Sequence, residues 1–286
     1  MDLCPICNSN KTVEVYEDEL GGDVADVTYN FSPHTRRTYR IVECGECTHQ
    51  FVAPLPQLES LYKVTEDTVY AKSLAQRRKS AECWMTIVRE TSPNAKSLVD
   101  VGCNIGLFLD EAAKTLHAEG VELSEWASSQ AARRHVVHQR KVSELQFHNK
   151  FDVATLWGVI EHLEDPAHEI AAVTDMLTKH GTLLIYTGDR SALLPRLLRK
   201  KWWWYQGMHI QYFTRASLGQ LLTKLNFTII ETRRLPIYFS LASLGQSINR
   251  YRMAKPLVWL LKLFPTESLL IKVTLSGEML VVARKN

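Results

Sequence analysis

The sequence lacks the features of membrane-spanning, secreted and nucleic-acid-binding proteins. It contains no run of about 18 apolar residues, so no transmembrane helix is predicted. Its start, Met1-Asp-Leu-Cys, has no basic region followed by an apolar core, so we expect no signal peptide. The formal net charge of +3 is too small to indicate a nucleic-acid partner by itself. Repeats and low-complexity tracts are absent, which favours a globular chain, expected in the cytoplasm, with one large domain and a small appendage.

Cysteine is scarce, but four of the six cysteines form two C-x-x-C pairs, Cys4 with Cys7 and Cys44 with Cys47. Each pair turns tightly enough to direct two thiolates at one point, and two such pairs complete a closed tetrahedral zinc site. A closed site has no open position for chemistry, so we expect a structural zinc in a zinc-ribbon-like lobe over residues 1–56. Unrelated thiols and an iron or redox centre are the alternatives.

A glycine-rich turn at the centre of the chain predicts a ligand site. Leu98–Val101 has strand character, and residues 107–116 space their apolar side chains as a helix does. Between them, Gly102 and Gly106 let the backbone approach a ligand where a Cβ would collide, and Asn104 tolerates positive φ. A dinucleotide fingerprint needs glycine at positions 102, 104 and 107, and the chain has it at the first position alone.

Four later segments predict further strands and one helix. Residues 120–122 read as a strand ending in Glu122, an acid that can accept ribose hydroxyls or else lie at the surface. Residues 141–145 are a weak strand or a loop, and Phe151–Trp157 is a buried parallel strand. Asp165 then caps a helix that Pro166 opens and that runs to about residue 179. Three more strands are expected, and the last is antiparallel; they cover 181–188, 226–232 and 276–284.

These segments together resemble the class I S-adenosylmethionine (SAM)-dependent methyltransferases. The resemblance rests on Asp100, Gly102 and Gly106 around the turn, on Glu161-His-Leu-Glu-Asp-Pro166, and on His209 before Phe213-Thr214. It implies a doubly wound, seven-stranded, mostly parallel α/β sheet over residues 93–286. Asn104 and Gly158 depart from the family pattern.

The resemblance also implies site residues. The expected SAM-binding residues lie at the ends of the first, second and fourth strands: Asp100, Gly102, Cys103, Asn104, Gly106, Glu122, Leu123 and Trp157. The expected catalytic residues are Glu161, His162 and His209, with His209 as a general base in a connection that overhangs the acceptor. Packing of His209 against Trp204, and helix-entry hydrogen bonding by Glu161 and His162, are the alternatives.

The implied activity is methyl transfer from SAM to a small-molecule or sugar acceptor, at a hydroxyl. An RNA methyltransferase that grips RNA with its zinc lobe is one alternative, disfavoured by the low charge. A non-catalytic SAM-binding protein is another, motivated by Asn104 and Gly158.

Three further segments are expected to connect or cover these parts. Residues 51–56 read as an extended linker, and 57–92 as a linking helical segment in which Arg77-Arg-Lys79 is a solvated face. The resemblance implies that this segment, which carries Tyr62 and Tyr70, covers the cofactor; structural packing is the alternative. A helical insert spans 236–275. Together, 192–205 and 250–264 combine apolar residues with cations, which suits a lid, a homodimer contact, or a membrane-surface or lipid-linked-substrate contact.

Overall fold

The computed structural model describes residues 2–21, 37–66, 73–240 and 269–286. The strands are β1 Thr12–Tyr16, β2 Ile41–Cys44, β3 Gln50–Val52, β4 Ser97–Val101, β5 His117–Val121, β6 Val136–His138, β7 Phe151–Trp157, β8 Leu177–Gly188, β9 Gln211–Tyr212, β10 Phe227–Arg233, β11 Pro236–Ser240, β12 Leu270–Thr274 and β13 Glu278–Lys285. The helices are α1 Glu59–Val64, α2 Leu74–Thr91, α3 Leu107–Ala112, α4 Glu125–Ala131, α5 Pro166–Met176, α6 Leu193–Leu198 and α7 Arg215–Lys224. Short 3-10 helices cover Val142–Glu144, Ile160–His162 and Arg199–Lys201.

A seven-stranded sheet forms the main domain, in the order β10-β13-β8-β7-β4-β5-β6. Strands β4 to β8 of this sheet pair in parallel, and β13 pairs antiparallel with both β8 and β10. The predicted mostly parallel sheet with an antiparallel last strand is therefore confirmed. Because β4 lies between β5 and β7, chain connections leave it in opposite directions, and a ligand crevice is expected at its carboxyl end.

The N-terminal lobe is joined to the main domain by sheet pairing. Its four-stranded sheet has the order β1-β2-β3-β9, and β9 comes from the main domain. Phe51 pairs with Gln211, and Val52 N donates to Ile210 O at 2.9 Å. The prediction that 51–56 is an extended linker is thus wrong at its start, because Phe51 and Val52 are buried strand residues between two partners.

Three element boundaries differ from the prediction. The third strand of the main sheet is Val136–His138, and the 141–145 segment forms a single 3-10 turn. Helix α3 ends at Ala112 instead of about residue 116. Helix α5 begins as predicted, with Asp165 accepting from His168 N, but it ends at Met176, where the long strand β8 begins.

The structure describes part of the two segments for which a lid, dimer or membrane-surface contact was expected, namely the insert 236–275 and the segment 192–205. The ends of the insert are not helical but pair as the antiparallel strands β11 and β12, while 241–268, including all of 250–264, lie outside the described residues. Trp202 and Trp204 belong to the 192–205 segment, for which a membrane-surface contact was one expectation, but both are buried and cannot form such a contact. Leu193 and Leu197 on α6 are exposed. In the part of the chain that the structure describes, no helix is long and apolar enough to cross a membrane.

Candidate active site

A cavity of about 590 Å³ opens at the carboxyl ends of β4, β5 and β7. One wall is the turn after β4, where Gly102, Asn104 and Gly106 have φ of +72°, +48° and +81°. A Cβ on Gly102 would lie 2.4 Å from Val159 Cγ2, so the turn can pack against Val159 on the cavity wall only without a side chain at this position. Glycine or asparagine at these positions is what the positive φ values require.

Gly106 has a different role from the one predicted. It does not line the cavity, and a Cβ on it would meet Ala131 and the ring of His135 at 3.1 and 3.2 Å, on the side away from the ligand space. Gly106 is the residue from which α3 starts, and its positive φ turns the chain into that helix. The residue is therefore needed for the turn and for packing against α4, not for ligand contact.

Glu122 lies where the sequence predicts, directly after β5. Its carboxylate accepts from Asn104 N and from Ser124 N, both at 2.8 Å, which fastens the glycine turn to the neighbouring strand. Burial raises the pKa of Glu122, and backbone hydrogen bonds to its charged form act in the opposite direction. Leu123 follows it on the cavity wall. A carboxylate held in this way keeps further lone pairs for ligand hydroxyls.

Asp100 is fully buried at the end of β4 and accepts from Thr155 Oγ1 at 2.7 Å. Burial raises the pKa of Asp100 to about 8. Its neighbour Cys103 is buried, and the Cβ that Gly120 lacks would lie 2.5 Å from Cys103 Sγ. Asp100 and Cys103, which the sequence analysis assigns to SAM binding, both line the cavity.

Aromatic rings form the second wall. Trp157 stacks on Trp84 with centroids 4.9 Å apart and meets Phe108 edge-on at 5.1 Å. Its indole Nε1 is buried without a hydrogen-bond partner among the described residues. A buried donor without a partner is uncommon in folded proteins and points to a group that a ligand would supply.

The N-terminal helices contribute cavity residues that the sequence analysis placed elsewhere or missed. Arg77 on α2 lines the cavity and donates from Nε to Ser73 Oγ, so the prediction of a solvated face holds for Arg78 and Lys79 but is wrong for Arg77. Trp84, about two turns further along α2, also lines the cavity and was not singled out. Tyr62 does line the cavity, as expected of a residue that covers the cofactor.

At the opposite end, Val142 and Ser143 line the cavity from the 3-10 turn that the sequence left as a weak strand or loop.

The three predicted catalytic residues come together, but they do not all reach the cavity. Glu161, His162 and His209 each offer a ligand atom within 4.8 Å of the others. His162 lines the cavity, whereas Glu161 and His209 are buried behind it and do not. His209 packs between the rings of His162 and Trp204, each at 4.8 Å, and its Nδ1 lies 2.7 Å from Trp204 O. Direct overhang of an acceptor by His209 was therefore a wrong expectation, because its connection folds beneath the His162 turn.

The electrostatics of this cluster are those of buried neutral groups. Burial raises the pKa of Glu161 to about 8, lowers the pKa of His162 to about 4, and lowers that of His209 well below its usual value. At neutral pH, both imidazoles are uncharged, and an uncharged imidazole can accept a proton or bind a metal ion.

The four paired cysteines meet at one point in the lobe. Cys4 Sγ lies 3.5 Å from Cys47 Sγ, and Cys7 Sγ lies 3.4 Å from Cys44 Sγ, with all four sulfurs within 4.8 Å of one another. Four thiolates about 2.3 Å from one zinc would be separated by roughly 3.8 Å, so the cluster needs little adjustment to hold the ion. Each C-x-x-C turn is followed by a residue with positive φ, Asn8 at +60° and Thr48 at +59°.

Comparison with known proteins finds similarity to methyltransferases. The methyltransferase domain family matches residues 74–232. Ubiquinone biosynthesis O-methyltransferase of Aromatoleum aromaticum is 29% identical over 116 residues, which are 37% of this chain and 49% of the relative. The dTDP-3-amino-3,4,6-trideoxy-alpha-D-glucopyranose N,N-dimethyltransferase of Streptomyces venezuelae is 22% identical over 176 residues, 58% of this chain and 69% of the relative. The chain thus spans about half the length of the ubiquinone relative.

Among solved structures, a SAM-dependent methyltransferase of Thermotoga maritima superposes with a TM-score of 0.51 at 20% identity, covering 80% of this chain and 98% of that one. At this identity, the likeness establishes a shared fold.

Proposed function

The chain belongs to the methyltransferase domain family, with the class I SAM-dependent fold, and on that premise we propose that it transfers a methyl group from SAM to a hydroxyl of a small-molecule or sugar acceptor. The observation that carries the proposal is a single cavity with the Gly102 turn and Glu122 on one side and His162 on another. SAM, when bound, supplies an electrophilic methyl group on a sulfonium. The protein has then to hold donor and acceptor in line, an effect that contributes roughly 7–11 kcal/mol in favourable cases.

The residues suit SAM in three ways. Glu122 can accept the ribose hydroxyls, as an acid at the end of the second strand does in this type of fold. Gly102, which has no side chain, lines the cavity and lets a ligand approach the backbone of the turn. Arg77 is a cation at the cavity wall that can pair with the carboxylate of the methionine part.

The acceptor would lie between the aromatic wall and His162. Trp84 and Trp157 offer flat apolar faces of the kind that pack on aromatic or sugar rings, and His162 places a polar group beside them. The two relatives carry names of an O-methyltransferase and a sugar N,N-dimethyltransferase, which supports a small-molecule acceptor and leaves oxygen and nitrogen as the candidate atoms.

An RNA acceptor has less support. Two cations of the lobe are already paired with acids, Lys11 with Glu46 at 2.7 Å, and Arg40 with both Asp2 and Glu14. A lobe that grips RNA would instead present its cations to phosphates.

We also propose that the four clustered cysteines hold one structural zinc ion. In this lobe, the four thiols direct their sulfurs at one point, and the closed set leaves no position for a substrate. Metal analysis of the purified protein should find zinc at the cluster, and Cys4→Ser should lose it. Cys83→Ser is the control, because Cys83 lies on α2 outside the cluster and should keep the zinc. Equal zinc in all three proteins would contradict this assignment.

Production of S-adenosylhomocysteine (SAH) from SAM tests the main proposal. The protein would be incubated with pools of aromatic hydroxy compounds, nucleotide sugars, amino sugars and total RNA. We expect SAH production with a small-molecule pool and much less from Trp84→Ala, which removes the ring stacked on Trp157. Turnover with RNA alone, or tight SAM binding without turnover on any pool, would contradict the proposed acceptor class.

A further inference from the structure

Glu161, His162 and His209 have the composition of a metal-binding site of their own. They supply one carboxylate and two imidazoles whose ligand atoms lie within 4.8 Å of one another. Two come from the 3-10 turn after β7, and the third comes from the connection before β9. The backbone joins these segments, because Ile210 N donates to Glu161 O at 2.9 Å. The cluster is therefore held by the fold and does not depend on one mobile loop.

Hydrogen bonds to backbone carbonyls orient the two imidazole rings of the cluster, as is common for metal-binding histidines. His162 Nδ1 lies 2.9 Å from Met208 O, and His209 Nδ1 lies 2.7 Å from Trp204 O. A ring that donates from Nδ1 to a backbone carbonyl is fixed in the tautomer whose Nε2 carries the lone pair. His162 Nε2 faces the Glu161 carboxyl at 4.0 Å. The amide of Gln206, 2.8 Å from His209 Nε2, is the group that must turn aside when an ion binds.

The surroundings of the cluster contain a second acid. Glu278 is buried close enough to Glu161 to act on it electrostatically, and its carboxyl accepts from the indole nitrogens of Trp203 and Trp204. Within the described chain, no lysine or arginine forms an ion pair with Glu161 or Glu278. Each carboxyl accepts from a hydroxyl, Glu161 from Thr187 Oγ1 and Glu278 from Tyr186, and a bound cation would supply the positive charge that favours the ionised form of Glu161.

We propose that Glu161, His162 and His209 bind a divalent first-row transition-metal ion beside the cavity, separate from the cysteine cluster. Two imidazoles and one carboxylate favour an ion such as Zn²⁺, Co²⁺ or Mn²⁺ over Mg²⁺, which prefers an all-oxygen set. Of the three ligands, His162 is the one that lines the cavity, so the ion would lie next to the cavity wall at this residue. The role of the ion rests on the proposed function. There, the ion would bind the acceptor hydroxyl and lower the pKa of that hydroxyl, and the hydroxyl proton would pass to water.

The experiment counts metal ions per chain in the full-length protein. The protein is first saturated with Zn²⁺, excess ion is removed, and Co²⁺ is then titrated in equilibrium dialysis with elemental analysis of both metals. Wild type should hold two ions in total, and His162→Ala should hold one or bind the second about tenfold or more weakly. His168→Ala is the matched control, since its imidazole lines the same cavity outside the cluster and should leave two ions.

SAH affinity and the melting temperature of each variant show whether it is folded. If His162→Ala does not fold, Glu161→Gln provides a second variant. One ion per chain in wild type, or two in His162→Ala with unchanged affinity, would overturn the proposal. Because the count needs neither SAM nor an acceptor, a protein that holds two ions but binds no SAM would contradict the proposed function alone.

Discussion

Replacing Glu122 by glutamine should weaken cofactor binding more than a nearly isosteric change suggests. The two carboxylate oxygens accept from two backbone donors, Asn104 N and Ser124 N, each at 2.8 Å. A glutamine amide has one oxygen and one NH₂ group, so one of these buried donors would face another donor. That cost is present with and without ligand, so the loss of affinity comes from the ribose hydroxyls, which lose a charged acceptor. Such a loss costs about 1–3 kcal/mol, which corresponds to roughly 5- to 150-fold in affinity.

Isothermal titration calorimetry with SAH measures the effect. Glu119→Gln is the control, because Glu119 is a buried acid on the same strand that bonds to His138 and Lys150 and does not line the cavity. We expect the Glu119 variant to bind SAH as wild type does and the Glu122 variant to bind at least about 5-fold more weakly. Equal SAH affinity in wild type and Glu122→Gln would refute the role of this acid in the cofactor site.

Three other outcomes are expected. Gly102→Ala should lose most SAH affinity in calorimetry, because a Cβ 2.4 Å from Val159 Cγ2 at a φ of +72° would force the turn on the cavity wall to shift; unchanged affinity would contradict the role of this turn in the cofactor site. For Asp100→Asn, the free energy of unfolding, measured with urea in the absence of ligand, should rise relative to that of wild type as the pH increases from about 4 to 8. The reason is that burial raises the pKa of Asp100 to about 8, so the stability tied to its protonated form is lost over that range; a pH-independent difference would contradict this. Removing zinc with a chelator should lower the melting temperature by calorimetry, whereas an unchanged value would mean that the cysteines hold the lobe without metal.

Local patterns explain why the sequence could predict the central turn and several elements. Gly102, Asn104 and Gly106 need positive φ, and residues with that tolerance are visible in a sequence. Asp165 before Pro166 is an equally local start signal, and α5 begins there. The position of Glu122 could be predicted from its distance in sequence to the glycine turn. Both of its backbone donors, Asn104 N and Ser124 N, lie in the same strand–turn–helix–strand segment.

The features that the sequence could not predict depend on contacts between distant segments. Arg77 lies at the cavity because α2 docks beside it, and Trp84 is placed by its stacking on Trp157. The third strand, Val136–His138, was missed because three partly exposed residues at a sheet edge carry little periodic signal. His209 was assigned to the cavity wall, but the pairing of β9 with β3 carries its connection beneath His162.

A crystal structure of the protein with SAH tests the central claim most directly, that the cavity beside the Gly102 turn is the cofactor site. The account predicts one SAH per chain, with its ribose hydroxyls on Glu122, its backbone contact at Gly102, and its sulfur directed along the aromatic wall towards His162. SAH bound at another place, or a ribose that does not contact Glu122 in a well-defined complex, would contradict it.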